Sequence, residues 1–258
     1  MPMFEWQELT LFLYITARVS GFVLFNPILG RNSIPAIVRT GFILVLAFFI
    51  SSVTHATAEV PPSTVVFGVR LLLELAIGYV LGMVMQFFFF IPQMTGLVVD
   101  TQMGLTMNQI YDAGSQANLS VSAVFLNAMM ILLFFAANGH HTLMRIFVSS
   151  ADLIPFGTMA LNYTTLVEAM LELFISCIIL AVKMSMPIIA AELLGQLGMG
   201  VLMKAIPQIN VFTINIELKV IIGLVLLLVL LSPFSEFFLQ MELEMLNKMQ
   251  EMLQLLGA

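Results

Sequence analysis

Apolar residues fall along this chain in long blocks rather than in the narrow stripes of a soluble helical fold. The blocks run over Leu9–Leu29, Ile34–Val53, Val65–Ile91, Leu119–Ala137, Leu166–Val182, Met184–Met203 and Leu218–Leu231. Pro187, Gly195, Gly198 and Gly200 interrupt the sixth, so six or seven membrane segments are predicted. Leu119–Ala137 is the cleanest: nineteen residues without a charge, a proline or a glycine. At a rise of about 1.5 Å per residue it makes a helix of roughly 28 Å, close to the ~30 Å hydrocarbon core of a bilayer. The first two blocks are joined only by Gly30-Arg31-Asn32-Ser33, between Pro27 and Pro35, which predicts a tight helical hairpin.

Two longer stretches between the blocks read as non-helical. Pro92–Asn118 holds Gly96, Gly104 and Gly114, and a polar run from Asn108 to Gln116. Asn138–Thr164 holds Arg145 and the turn residues Pro155 and Gly157. After the last block, Leu239, Leu243, Leu246, Met249 and Leu253 recur at helical spacing among Glu236, Glu242, Glu244 and Glu251. Ser235–Leu256 is therefore an amphipathic helix for a surface or a partner helix.

Composition sharpens the class. Of 258 residues, 60% are hydrophobic and 9% charged, against roughly 45–50% and 25% in ordinary globular domains. So few charges cannot cover a soluble surface, and the fold class is an all-α, polytopic membrane protein built of helical hairpins. No hydrophilic stretch is long enough for a soluble domain. Glu5 and Glu8 make the N-terminus unlike a cleaved secretory signal. A net charge of −6 excludes a basic nucleic-acid-binding surface. The single cysteine, Cys177, has no disulfide partner in the chain. The nine Lys and Arg residues are spread too evenly to set a topology by the positive-inside rule.

Ten ionisable residues lie in or beside the apolar blocks: Arg18, Arg39, Arg70, Glu74, Asp100, Glu168, Glu172, Lys183, Glu192 and Lys204. At roughly 2.5–3.5 kcal/mol each in a bilayer centre, ten exposed to lipid tails would cost of order 25–35 kcal/mol. Most must face protein, water or an interface. Arg70 and Glu74, four residues apart, suit a local ion pair. Lys183 and Lys204 lie near block ends and can snorkel. Arg18 and Arg39 sit in facing arms of the first hairpin without an acid nearby in sequence, which points to another subunit. Glu168 and Glu172 share a helical face, for an interhelical or intersubunit contact, or for a proton or cation.

The remaining motifs are weaker. Gly78-Tyr-Val-Leu-Gly82 allows close helix approach. Gly195-Gln-Leu-Gly198-Met-Gly200 lacks the order and the βαβ setting of a dinucleotide site. His140-His141 has no carboxylate or thiol at ligand spacing. No GxSxG, HExxH or CxxC is present, so no enzyme and no cofactor is predicted. Twenty methionines supply flexible side chains that re-pack around varied surfaces. Met103 and Met107, beside the glycine-containing stretch, are the candidates for sealing a pore.

Several strings occur together in a recognisable order. They are Arg18-Val-Ser-Gly21 with Asn26-Pro27-Ile-Leu-Gly30, Glu74-Leu-Ala-Ile-Gly78, Gly96-Leu-Val-Val-Asp100-Thr-Gln102-Met-Gly104, Asn138-Gly-His140 and Lys204-Ala-Ile-Pro207-Gln208-Ile-Asn210-Val-Phe212. Over essentially the whole chain they resemble the FliR family of type III export-gate subunits. Lys204 stands where that family commonly has Arg, and Ala113 where a proline is common. The resemblance implies a fusion of a FliP-like part, about 1–182, with a FliQ-like hairpin and amphipathic helix, about 183–258. It implies FliP-, FliQ- and FlhB-type partners in a helical hetero-oligomer at the flagellar basal body of a bacterial inner membrane, exporting unfolded flagellar subunits. The loop after the central helices plugs the closed pore in that family. Met103, Met107, Asn108, Gln109, Ile110, Tyr111 and Asp112 are the corresponding plug or gasket residues, within and beside Met107–Asn118. Arg18, Arg39, Glu74, Asp100, Glu168, Glu172 and Lys204 are the expected intersubunit contacts. A virulence type III secretion subunit and a self-sufficient ion-coupled transporter using Glu168 and Glu172 are the alternatives.

Overall fold

The computed structural model describes residues 6–31, 33–54, 58, 60–105, 110–112, 117–157, 163–205 and 211–257. They form α1 (Trp6–Phe25), α2 (Ala36–Val53), α3 (Thr64–Met103), β1 (Ile110–Asp112), β2 (Ala117–Leu119), α4 (Val121–Ala136), α5 (Gly139–Leu153), α6 (Tyr163–Ala205), α7 (Val211–Val229) and α8 (Leu231–Gly257). Among the described residues the fold is all-α apart from one antiparallel ribbon, which pairs Ile110 with Leu119, Tyr111 with Asn118 and Asp112 with Ala117. Among the described residues, four helices, in α1, α2, α3 and α6, are long and apolar enough to cross a membrane on their own.

Three boundaries differ from the sequence expectation. α3 does not stop at Pro92 but carries it inside a 40-residue helix. Burial of Ile91, Val99 and Met103 along the continuing helix outweighs the one backbone bond the proline removes. The blocks on either side of Lys183 merge into one 43-residue helix, α6, with Pro187 inside it. At about 1.5 Å per residue these helices reach roughly 60 Å, twice a bilayer core. Asn138–Thr164 was expected to be non-helical, yet it contains α5. Leu143, Ile146, Phe147 and Ser150 are buried at helical spacing there, behind a polar outer face. Asn138, with φ 61°, separates α5 from α4.

The chain divides into two compact units, to each of which α3, α6 and α8 contribute a stretch. One comprises Met1–Phe88, Ala137–Phe174 and Glu242–Ala258; the other comprises Phe89–Ala136 and Ile175–Met241. In the first unit α1 lies directly on α3. A methyl group on Gly78 would overlap the Arg18 carbonyl oxygen, and one on Gly21 would overlap the Leu75 carbonyl oxygen. The Gly78–Gly82 motif is thus a backbone-to-backbone contact with α1. Phe22 and Phe147 meet edge to face at 4.4 Å beside it. α2 is mostly exposed, with Ile37, Val45 and Phe48 facing outward.

In the second unit the Thr95 hydroxyl donates to the Ala181 carbonyl at 3.1 Å, joining α3 to α6. Glu192 on α6 is fully buried there, and neither carboxyl oxygen has a hydrogen-bond partner among the described residues.

Candidate functional site

The ribbon leaves α3 and enters α4 through two tightly built feet. At the first, Gly104 has φ +75°, the left-handed conformation that costs a glycine nothing. The Leu105 N–H donates to the Asp100 carbonyl at 2.8 Å and the Gly104 N–H to the Thr101 carbonyl at 3.2 Å. This pair of bonds is a Schellman motif, which satisfies the last carbonyls of α3 and turns the chain sharply away.

At the second foot, Ser120 is the only residue between β2 and α4. The Ala123 N–H donates to Ser120 Oγ at 3.4 Å and the Val124 N–H to the Ser120 carbonyl at 3.0 Å. The Asp100 carboxylate completes this cap. It accepts the Ser122 N–H at 3.1 Å and, through its other oxygen, the Ser122 hydroxyl. An anion at the first turn of α4 also meets the positive end of the helix dipole. Asp100 reaches Ser122 because Gly96, one turn earlier, lets the two backbones touch. A methyl on Gly96 would overlap the backbone nitrogen and Cα of Ala123. Met103 is seated on α7, and a methyl on Gly223 would lie 2.5 Å from its Cγ.

A second polar cluster lies inside the first unit. Arg18 Nε donates to Glu74 Oε2 at 2.7 Å. Its two terminal nitrogens donate to the carbonyls of Ser150 and Ile154, each at 3.0 Å. The guanidinium carbon sits 4.2 Å from the centre of the Phe156 ring. Glu74 Oε1 accepts the Gly157 N–H at 2.9 Å. Both charged residues are 1% exposed, so the cluster ties α1, α3, α5 and the turn after it into one body.

The expected contact residues therefore separate into two groups. Arg18, Glu74 and Asp100 are buried, with hydrogen-bond partners within the chain. Glu74 is occupied by Arg18 rather than by Arg70. Arg39 is half-buried, and donates to the carbonyls of Arg31 and Ile34 at 3.3 Å, holding the first hairpin turn. Glu168, Glu172 and Lys204 are exposed. Of the expected plug or gasket residues, Met103 is buried at the end of α3, beside Gly223. Ile110, Tyr111 and Asp112 form β1. Met107, Asn108 and Gln109 lie outside the described residues, as do Pro207, Gln208 and Asn210. Sequence reasoning missed Ser122, the single serine of apolar α4, and Ser150, one of two adjacent serines in mixed α5. The one available signal was their position a turn from a helix end.

A family profile described as bacterial export proteins, family 1, matches residues 9–245. The chain belongs to this family. Its relatives include the flagellar biosynthetic protein FliR of Bacillus subtilis (strain 168), 28% identical over 226 residues and 86% of both chains. FliR of Escherichia coli (strain K12) is 29% identical over 239 residues and 90% of both. The surface presentation of antigens protein SpaR of Salmonella typhimurium is 26% identical over 219 residues, covering 84% of this chain and 81% of its own.

Proposed function

We propose that this chain is a non-enzymatic core subunit of a flagellar type III protein export gate in a bacterial inner membrane, at the basal body. The observation that carries the reading is the match of the export family along residues 9–245, together with relatives of nearly equal length named for flagellar biosynthesis. The physical chemistry supports it. α3 and α6 are about twice as long as a bilayer core, so lipid alone is a poor match to them. The exposed face of α2 is apolar, and that of α6 combines large apolar residues with the charges Glu168, Glu172 and Lys204. Charges on an otherwise apolar face are costly against lipid and favourable against partner helices.

In this reading FliP- and FliQ-type subunits cover those faces and an FlhB-type protein associates with the assembly. About 1–182 is the FliP-like part and about 183–258 the FliQ-like part. Unfolded flagellar subunits cross through the shared pore, and Met107–Asn118, which includes the ribbon, plugs it when closed. Native mass spectrometry after co-expression with FliP- and FliQ-type partners tests the assembly. One large complex with one or few copies of this chain is expected. A chain that remains alone or only self-associates, and conducts ions by itself, would replace the reading with an ion-coupled transporter. Deleting Met107–Asn118 should raise the ion leak of the complex, and unchanged conductance would remove the plug. The SpaR relative favours a second reading, a virulence export gate. Rescue of motility, but not of effector secretion, in strains lacking the respective relatives separates the two.

A further inference from the structure

We infer that Asp100 is a positioning residue that holds both feet of the plug ribbon at once. This inference rests on the plug reading above. One residue supplies two different groups to two different helix ends. Its backbone carbonyl accepts the Leu105 N–H and closes α3, while its carboxylate accepts the Ser122 N–H and hydroxyl and opens α4. The outgoing foot is bent by Gly104, and the incoming foot has only Ser120 between β2 and the helix. The two feet therefore move as one body while the carboxylate is bound.

Asp100 is fully buried, which isolates the cap from competing water. Gly96 against Ala123 fixes the spacing at which the carboxylate reaches. Releasing the carboxylate removes the hydrogen-bonded link between the feet but leaves the Schellman turn and the Gly96–Ala123 contact intact. The ribbon would then enter α4 through Ser120 without the Asp100 cap. The device thus separates two properties, a turn that ends α3 and a latch that holds the first turn of α4.

The test is ion leak through the co-expressed complex in planar bilayers, with four chains: parent, Asp100→Ala, deletion of 107–118, and the two changes combined. Asp100→Ala should raise the leak about 5- to 30-fold, the factor a lost helix cap of roughly 1–2 kcal/mol carries. It should add nothing when the ribbon is deleted, because no plug is left to position. Ser122→Ala keeps the N–H bond and loses only the hydroxyl, so a smaller rise is expected. Asp100→Asn retains an acceptor and should rescue most of the closure, even if Asp100→Ala assembles poorly.

A second readout is the distance distribution between spin labels at Asp112→Cys and Val124→Cys in a Cys177→Ser background. Asp100→Ala should broaden it. An Asp100→Ala or Ser122→Ala complex that leaks no more than the parent, while the deletion leaks, overturns the latch and leaves the plug standing. A deletion that does not leak overturns the plug and the latch with it. An equal rise from Asp100→Ala with and without the ribbon would show general destabilisation and also overturn the latch.

Discussion

Removing the guanidinium of Arg18 should destabilise the chain about as much as breaking a buried ion pair anywhere, and the structure sets the size. Arg18→Met leaves the Glu74 carboxylate with the Gly157 N–H as its remaining hydrogen bond and strips donors from the Ser150 and Ile154 carbonyls. Breaking one side of a buried pair costs about 3–5 kcal/mol. Glu74→Leu makes the reciprocal error, leaving a buried cation with two carbonyls and a ring. The double variant Arg18→Met with Glu74→Leu carries no buried charge. It still orphans the Ile154 carbonyl and the Gly157 N–H, at about 1 kcal/mol each, while the Ser150 carbonyl keeps the Ile154 N–H, so its expected cost is only about 1–3 kcal/mol. The sum of the single costs exceeds this by roughly 3 kcal/mol or more, a coupling that independent sites do not show. The assay is unfolding of the purified chain in dodecyl maltoside titrated with SDS, followed by far-ultraviolet circular dichroism. A cost below about 1 kcal/mol for Arg18→Met, or additive single costs, would refute the pairing. It would also return Arg18 to the role of a contact between subunits.

Four further outcomes follow from single positions. Gly78→Ala should cost about 1–3 kcal/mol, because α1 must move off α3. Gly41→Ala, with open space around its Cα, should stabilise α2 by roughly 0.5–1 kcal/mol; the same SDS titration checks both. Glu192→Met should stabilise the isolated chain by about 1–3 kcal/mol, since a buried carboxyl group without a hydrogen bond among the described residues, with only the more distant charge of Lys219 to offset its burial, is replaced by an apolar side chain of similar size; a loss of stability on titration would contradict it. Gly104→Ala places a Cβ at φ +75° at a cost of about 1 kcal/mol, and hydrogen exchange at the Leu105 amide should quicken by about fivefold.

What the sequence made legible was what depends on hydrophobic blocks and on local spacing. The first hairpin, the close contact at Gly78 and the amphipathic last helix all rest on residues within a few turns of one another. Pro92 and Pro187 misled the boundary reading because helix breaking is a local preference of about 3 kcal/mol, and apolar burial along α3 overrides it. α5 was hidden for the opposite reason: its buried stripe of Leu143, Ile146 and Phe147 lies among His141, Arg145 and Asp152, so no continuous block marks it. The charge pairs were least legible. Arg18 and Glu74 are 56 residues apart and Arg18 and Ser150 are 132 apart, so neither periodicity nor local charge pairing could connect them.

The two clusters also explain why an isolated charge in an apolar block is an ambiguous signal for a subunit contact. A charge pointing to a partner and one that pins the chain's own helices share the same sequence signature, a polar residue where lipid would forbid one. Exposure separates them. Arg18, Glu74 and Asp100 are closed off within the chain, and their hydrogen bonds fix helix ends and crossings. Glu168, Glu172 and Lys204 remain exposed beside apolar surface, so theirs are the charges whose reversal should lower complex yield while leaving the isolated chain's unfolding titration unchanged. Charge reversal at Glu168 or Lys204 that leaves the amount of co-purified FliP- and FliQ-type partner undiminished would remove those residues from the interface. A loss of the isolated chain's stability would instead class them with Arg18.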